Sequence, residues 1–150
     1  MLSRSDFWQF ACDCYARPGM QQALLALQDK AAKNVNLCLL LCYLDVLGYT
    51  LDQEIVKRLT DAAEAFDNQV LRPQRAIRQQ LKAHHQDYDN YAAMRGALLN
   101  AELTLEQRQQ DLLLRVLEQH SLPSMPQKNR TSNLHLYLCE TQTQQLLALL

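Results

Sequence analysis

An almost unbroken apolar run, VNLCLLLCYLDVL from Val35 to Leu47, most constrains how this chain folds. Asn36 and Asp45 alone interrupt it, and Gly48 follows directly. A helix that is apolar on every side must be enclosed by other helices or by a membrane. A helix of this length rises about 20 Å, which is short of a bilayer core of about 30 Å. The run therefore predicts a central, buried helix in a protein that does not span a membrane.

The rest of the chain has the composition of a helical protein. Gly occurs 3 times and Pro 4 times in 150 residues, while 48% of the residues are hydrophobic. Few turn residues and three- and four-residue apolar spacings favour helices over a many-turned β structure. We therefore predict an all-α, single-domain bundle over residues 1–150, with about six to eight helices packed around residues 35–47.

The longest periodic segment covers residues 87–120. Apolar residues recur there at seven-residue intervals, which predicts a buried helical seam along Tyr91, Leu98, Leu105 and Leu112. A capping pattern at Thr104 would break this helix near Leu103. We favour one long helix, because neither Gly nor Pro stands at the possible break.

Two proline-containing segments interrupt the helical pattern. Pro73 predicts a fresh helix start or a kink. Residues 121–132 contain Pro123 and Pro126 among mostly polar residues, which predicts a flexible loop.

The cysteines and the N-terminus both indicate a cytoplasmic protein. The 5 cysteines are odd in number and lie mostly in apolar helical runs, as is typical of reduced thiols. Asp6 and Asp13 interrupt the N-terminal apolar stretch, so it lacks the long uncharged core of a secretory signal.

Neither a metal site nor a cofactor is predicted. Cys12 and Cys14 are two apart, so on a helix they would diverge by about 200°, and the adjacent His84 and His85 would diverge by about 100°. The sequence also lacks a nucleophile elbow, a phosphate-binding loop and a paired-carboxylate motif. We leave catalysis open and favour binding over it.

A basic stripe consists of Arg72, Arg75, Arg78 and Lys82, with no acid between them. Guanidinium groups grip phosphate or carboxylate, so the stripe can be an anion site. Alternatively, its members pair with acids on adjacent helices, such as Glu64, Asp67, Glu102, Glu106 and Asp111. A formal net charge of −1 argues against nucleic acid as a partner.

A second polar group is predicted at the start of the central helix. Gln28, Asp29 and Asn36 should gather at one corner there. The candidate polar or anion site comprises this corner, Arg17 and the basic stripe: Arg17, Asp29, Asn36, Arg72, Arg75, Arg78 and Lys82.

Several ordered motifs resemble an uncharacterised proteobacterial family of small helical proteins, known as a domain of unknown function. The motifs are Phe7-Trp8-Xaa-Phe10, Tyr15-Ala16-Arg17-Pro18-Gly19, Leu27-Gln28-Asp29, Val35-Asn36-Leu37, and Leu71-Arg72-Xaa-Xaa-Arg75 followed by Lys82. Relatives typically carry Gly and Asp where this chain has Ala32 and Asn34, and Trp where it has Tyr43. The resemblance implies a small cytoplasmic bacterial protein and assigns no cofactor or catalytic residue.

Two classes of function follow from these features. The leading hypothesis is a non-catalytic cytoplasmic interaction or regulatory protein, whose partner is another protein or a second copy of itself, because helical faces are its main recognisable features. The alternative is a small-molecule or anion-binding protein, or an enzyme, that uses the Asp29/Asn36 corner or the basic stripe.

Overall fold

A computed structural model describes residues 2–122 and 131–150. Within these ranges the chain is all-α and has no extended strand, which confirms the predicted fold class. The predicted loop at 121–132 lies mostly outside the described residues. The helices are α1 (Arg4–Tyr15), α2 (Met20–Ala31), α3 (Val35–Leu47), α4 (Gln53–Phe66), α5 (Arg72–His84), α6 (Tyr91–Glu118) and α7 (Glu140–Leu147), with a π-helical turn (Asp67–Leu71) between α4 and α5 and a 3-10 turn (Asn133–Leu136) before α7.

The predicted central helix, α3, is the core of the bundle. Every residue from 36 to 44 is buried, and Leu40 and Leu41 are 0% exposed. Asn34 begins the helix, because its side-chain oxygen accepts a hydrogen bond from the Leu37 amide at 2.8 Å. Gly48 ends it in the left-handed conformation with a φ of 82°. Burial of each leucine contributes about 1.5 to 3 kcal/mol, which makes α3 the main source of hydrophobic stability.

The other helices enclose α3 with their apolar faces. On α1, Phe7 stacks on Tyr43 with ring centroids 5.4 Å apart. The remaining cover comes from buried residues of α2, α4 and the second half of α6, which include Met20, Leu24, Val56, Leu59, Leu113 and Leu117. Within the described residues, no helix is both long enough and apolar enough to cross a membrane.

The long helix α6 is unbroken, as predicted, but its buried face differs from the predicted seam. Leu98, Leu105 and Leu112 are half-buried, whereas Glu102 and Gln109 are buried. The seven-residue pattern is misleading because the first half of α6 packs against α5, which has no fully buried residue. The middle of α6 therefore turns polar side chains inward.

A widened turn joins α4 to α5. The Arg72 amide donates to the Asp67 carbonyl, five residues back, so the turn is π-helical. Pro73 explains it, because a proline ring collides with the carbonyl four residues earlier in a regular α-helix. Pro73 lies in the first turn of α5. Of the two predicted alternatives, a fresh helix start and a kink, this position agrees with the fresh start.

The C-terminal segment closes the bundle beside the α2–α3 connection. Ala32 has a φ of 53°, the left-handed region in which glycine is favoured. The Asn34 amide then donates to the Tyr137 hydroxyl at 2.7 Å, and burial raises the pKa of Tyr137 to about 12. Lys33 donates to the Tyr137 carbonyl at 3.1 Å and lies 4.7 Å from the ring centre. These contacts attach residues 131–150 to the start of α3.

Candidate ligand cleft

A cleft of about 600 Å³ opens between α1, α2, the start of α3, α5 and α6. Each helix contributes residues at three- and four-residue spacings, so each presents one face to the same space. On α2, for example, Gln21, Leu25 and Gln28 lie along one side. The volume lies within the range of about 300 to 1,000 Å³ that is typical of small-molecule sites.

Four amide side chains form the floor of the cleft, and Gln109 is at their centre. Its carbonyl oxygen accepts from Asn36 at 2.9 Å and from Asn34 at 3.2 Å. Its amide nitrogen donates to Asp67 at 2.9 Å and to the Ala63 carbonyl at 3.1 Å. Gln110 donates to the Asn36 carbonyl oxygen at 3.0 Å. These bonds hold the floor in one arrangement, because a buried amide left without a partner would lower the stability of the fold.

Asp67 is the one carboxylate in this floor network. The π-helical turn begins with Asp67, whose two oxygens accept from Asn34 at 2.8 Å and from Gln109 at 2.9 Å. The network therefore links α3, α6 and the junction between α4 and α5.

A charged cluster forms the wall on the α5 and α6 side. Arg75 Nε donates to Glu102 at 3.0 Å, and Arg78 Nε donates to the other Glu102 oxygen at 2.9 Å. Arg75 Nη2 also reaches Glu106 at 3.4 Å. The Glu102 side chain is 11% exposed and that of Arg75 is 19% exposed, so water screens this pair less than a surface ion pair. The ion pairs between the two arginines and the two glutamates hold these side chains in place along the wall.

The surroundings of Glu106 within this cluster shift the pKa of its carboxyl group. Burial raises its pKa, nearby Arg75 opposes the shift and the Glu102 charge adds to it. Tyr15 stands near the same charges, and burial followed by the Glu106 charge raises the pKa of its hydroxyl. A positive group placed near Glu106 would therefore favour the charged form of that carboxylate.

The remaining wall is apolar. Trp8 on α1, Leu39 on α3 and Leu99 on α6 line it, and Leu103 lies at its outer edge with 48% exposure. An apolar surface and fixed charges in the same cleft suit a ligand with one polar and one apolar end.

The comparisons with known proteins identify a family. A family model described as "Protein of unknown function (DUF2390)" matches residues 6–113. The chain belongs to this family. The predicted resemblance is thereby confirmed as to family, while the proteobacterial origin stays a prediction. No curated protein matches this DUF2390 chain, and no solved structure matches it.

Among the described residues, all those that line the cleft lie within the DUF2390 match. They extend from Trp8 to Gln110, whereas residues 131–150 lie beyond the match. The described lining of the cleft therefore comes from the part of the chain that the family model covers.

The structure brings together some of the predicted site residues of this DUF2390 protein and separates others. Three of the predicted site residues line the cleft, namely Asn36, Arg75 and Arg78. Gln28, which was predicted to lie near Asn36, lines it as well. The other four candidates are exposed and do not line the cleft: Arg17, Asp29, Arg72 and Lys82. Of these, Arg72 donates to Asn68 at 2.6 Å.

The structure bears on both interpretations of the basic stripe, ion pairing within the chain and anion binding. Arg75 and Arg78 pair with Glu102, as the pairing alternative required. Both arginines nevertheless face the cleft. An anion-binding role for the stripe stays a prediction.

Sequence reasoning missed the floor residues Gln109 and Gln110 and the aromatic residues Trp8 and Tyr15 as cleft residues. A pair of glutamines within a helix resembles an ordinary exposed face, so the sequence alone gives little signal for the floor. The aromatic residues of α1 contact different neighbours: Phe7 stacks on Tyr43 of α3, while Trp8 and Tyr15 line the cleft.

The thiols and histidines form no metal site in the part of the chain that the structure describes. No group of three or more His, Cys, Asp or Glu side chains there could hold a metal ion. Cys14, Cys38 and Cys42 are buried, and burial raises the pKa of Cys38 to about 12. Cys12 and Cys139 are exposed, and Cys12 lines the cleft.

Proposed function

We propose that this protein is a non-catalytic binding protein that holds a small amphipathic ligand in the cleft. The observation that carries this proposal is the juxtaposition of an apolar wall with a charged wall around about 600 Å³ of space. The proposal takes up the ligand-binding alternative from the sequence and centres it on Asn36, Arg75 and Arg78.

The hydrogen bonding of the cleft supports binding rather than chemistry. The floor amides bond to one another and to Asp67, so the floor is rigid before a ligand arrives, and preorganisation of this kind lowers the cost of binding. Cys12 is the thiol that lines the cleft, and burial and the Asp13 charge raise its pKa. A protonated thiol is a poor nucleophile, which argues against covalent catalysis by Cys12.

Protein association is a second candidate, favoured by exposed apolar residues on α5 and α6. Ile77 is 58% exposed and Leu103 is 48% exposed. A partner, either another protein or a second copy of this chain, could cover these residues.

We place the protein in the cytoplasm as part of the same proposal. Its free cysteines, three of them buried, suit a reducing compartment. Nucleic acid is an unsuitable partner, because the carboxylates of Glu102 and Glu106 already neutralise the most ordered arginines.

The test uses Cys12 as a reporter within the cleft and Cys139 as an internal control outside it. The probe is 8-anilinonaphthalene-1-sulfonate, an amphipathic anion, and the measurement is the iodoacetamide alkylation rate at each cysteine by peptide mass spectrometry. We expect saturating probe to slow Cys12 at least fivefold and to leave Cys139 unchanged. The proposal fails if Cys12 reacts at its original rate, or if both cysteines slow equally.

A matched pair of variants locates the bound probe. Ala16→Phe narrows the cleft from an exposed position, and Ala65→Phe makes the same change on the exposed side of α4. We expect Ala16→Phe to weaken protection of Cys12 at least fivefold and Ala65→Phe to preserve it. Equal protection in both variants would contradict binding in the cleft.

A further inference from the structure

The charged wall of the cleft retains unused hydrogen-bond donors on its positive side chains and an unused acceptor on a negative one. Arg75 uses Nε and Nη2, and Arg78 uses the same two nitrogens. Within the described residues, the Nη1 group of each arginine makes no hydrogen bond to protein. A guanidinium group has five N–H donors, so each arginine keeps donors available for a ligand carboxylate.

Glu106 supplies the unused acceptor. Its Oε1 atom takes the long bond from Arg75, and its Oε2 atom has no hydrogen-bond partner among residues 2–122 and 131–150. The side chain is 32% exposed and lines the cleft, so Glu106 is accessible to a ligand. An ammonium group beside Oε2 would also offset the desolvation that raises the pKa of this carboxyl group.

The arrangement of charges narrows the ligand class. Two arginines and two glutamates give the wall a formal charge of zero, so a ligand with one net charge meets repulsion as well as attraction. A ligand that carries both signs meets a partner for each. Arg75 Nη2 and Glu106 Oε1 are 3.4 Å apart, so groups of opposite charge stand side by side in the wall, and a ligand whose two charges are close neighbours can reach both. An ammonium and a carboxylate on the same carbon atom meet this requirement.

The apolar part of the lining determines what the rest of the ligand must be. Trp8, Leu39 and Leu99 present apolar surface to the same cleft, and Leu99 lies one helical turn from Glu102 on α6. Beside these three residues a polar side chain would lose hydration without gaining a partner, whereas removal of an apolar side chain from water is favourable. The apolar wall therefore favours a large apolar side chain.

We propose that the cleft binds a free α-amino acid with a large apolar side chain. The Nη1 groups of Arg75 and Arg78 hold its carboxylate, Glu106 Oε2 holds its ammonium group, and the apolar wall contacts its side chain. This inference rests on the proposed function, since it names the ligand class of the same cleft.

The test compares probes that differ in one charged group. L-leucine carries both groups, 3-methylbutylamine lacks the carboxylate and 4-methylpentanoate lacks the ammonium group. The sole tryptophan of the chain is Trp8, so its fluorescence reports binding at the cleft. We expect L-leucine to bind at least tenfold more tightly than either analogue. Equal affinities for all three probes, or no response to L-leucine up to millimolar concentration, would overturn the inference.

Variants separate ligand recognition from stability. Glu106→Gln should weaken L-leucine and 3-methylbutylamine at least fivefold and should leave 4-methylpentanoate unchanged or bound more tightly, because the repelling charge is gone. Glu64→Gln removes an exposed carboxylate from α4 and should alter none of the three affinities. An equal loss for all three probes in Glu106→Gln would show a general disturbance of the cleft and refute the assigned role of Glu106.

The naphthalene sulfonate footprint distinguishes the two possible failures. If that probe protects Cys12 and L-leucine binds no better than its analogues, the amino-acid inference is wrong and the cleft remains a binding site. If neither compound protects Cys12 or changes the fluorescence of Trp8, both proposals are wrong.

Discussion

Replacement of Gln109 by leucine tests whether the amide floor of the cleft stabilises the fold. Gln109 is 1% exposed and makes four side-chain hydrogen bonds, to Asn34, Asn36, Asp67 and the Ala63 carbonyl. Leucine has a similar size and no polar atoms, so Gln109→Leu removes the bonds with little change in packing volume. The result therefore reflects the loss of polar contacts.

The magnitude follows from what each former partner retains. Asn34 still bonds to Asp67, Asn36 still reaches the Glu106 carbonyl, and the Ala63 carbonyl still accepts from the Asp67 amide. The Asp67 oxygen that faced Gln109 loses a charge-assisted bond, which is worth about 1.5 to 3 kcal/mol. With a smaller contribution from the two weakened amides, we expect Gln109→Leu to lower the free energy of unfolding by about 2 to 4 kcal/mol.

Urea denaturation of the full chain, followed by circular dichroism, measures this loss. Gln107→Leu on the exposed side of α6 is the control and should remain within about 0.5 kcal/mol of the parent. A second substitution, Asp67→Asn, should cost less in the Gln109→Leu background than alone, with a coupling energy above about 0.5 kcal/mol. A loss below about 1 kcal/mol for Gln109→Leu, or strict additivity with Asp67→Asn, would refute the described network.

The remaining predictions concern the core, the end of α2 and, twice, the charged cluster. In the core, Leu40→Ala should lower the free energy of unfolding by about 2 to 5 kcal/mol in chemical denaturation, and a loss under about 0.5 kcal/mol would mean that α3 is not the core. In the charged cluster, Arg75→Ala should cost about 1 to 3 kcal/mol by the same assay, because it leaves a mostly buried carboxylate with fewer donors, whereas Arg58→Ala in an exposed pair should cost about 1 kcal/mol or less. At the end of α2, Ala32→Gly should raise the melting temperature, since glycine relieves the left-handed conformation at a φ of 53°; a lower melting temperature would contradict this backbone assignment. For pH, the raised pKa of Glu106 means that the folded chain holds this proton more tightly than the unfolded chain does, so stability should fall as pH rises from the ordinary value of 4.5 towards the raised value. Denaturation at a series of pH values should show a smaller fall in Glu106→Gln, and identical pH profiles would refute the shift.

The central helix could be predicted from sequence because its signals are local and consistent. An apolar run, a capping asparagine before it and a glycine after it all favour the same boundaries. The unbroken α6 was also predictable, since neither Gly nor Pro stands at the possible break near Leu103 to reinforce the capping pattern at Thr104. The faces of α6 were not, because burial there depends on α5, α3 and the widened turn, which meet it only in the folded chain.

The cleft was predictable only in part. The arginine spacing of the basic stripe placed Arg75 and Arg78 on one side of a helix, and the acids named as partners included Glu102 and Glu106. The same spacing could not show that Arg72 and Lys82 lie outside the cleft, because the sequence of one helix does not reveal how far the neighbouring helix extends beside it. The floor depends on a glutamine pair whose neighbours come from distant parts of the sequence, so no local pattern marks it.

The π-helical turn at Asp67–Leu71 sets the direction in which α5 presents its arginines. This turn accommodates one residue more than an ordinary α-helical turn, and each residue of an α-helix corresponds to a rotation of about 100° and a rise of about 1.5 Å. If the same residues were wound as a regular α-helix, all of α5 would rotate by about that amount, and Arg75 and Arg78 would point away from Glu102. Pro73 opposes that regular winding, because its ring would collide with the carbonyl four residues earlier. The proline therefore determines, through the width of one turn, where the two arginines point.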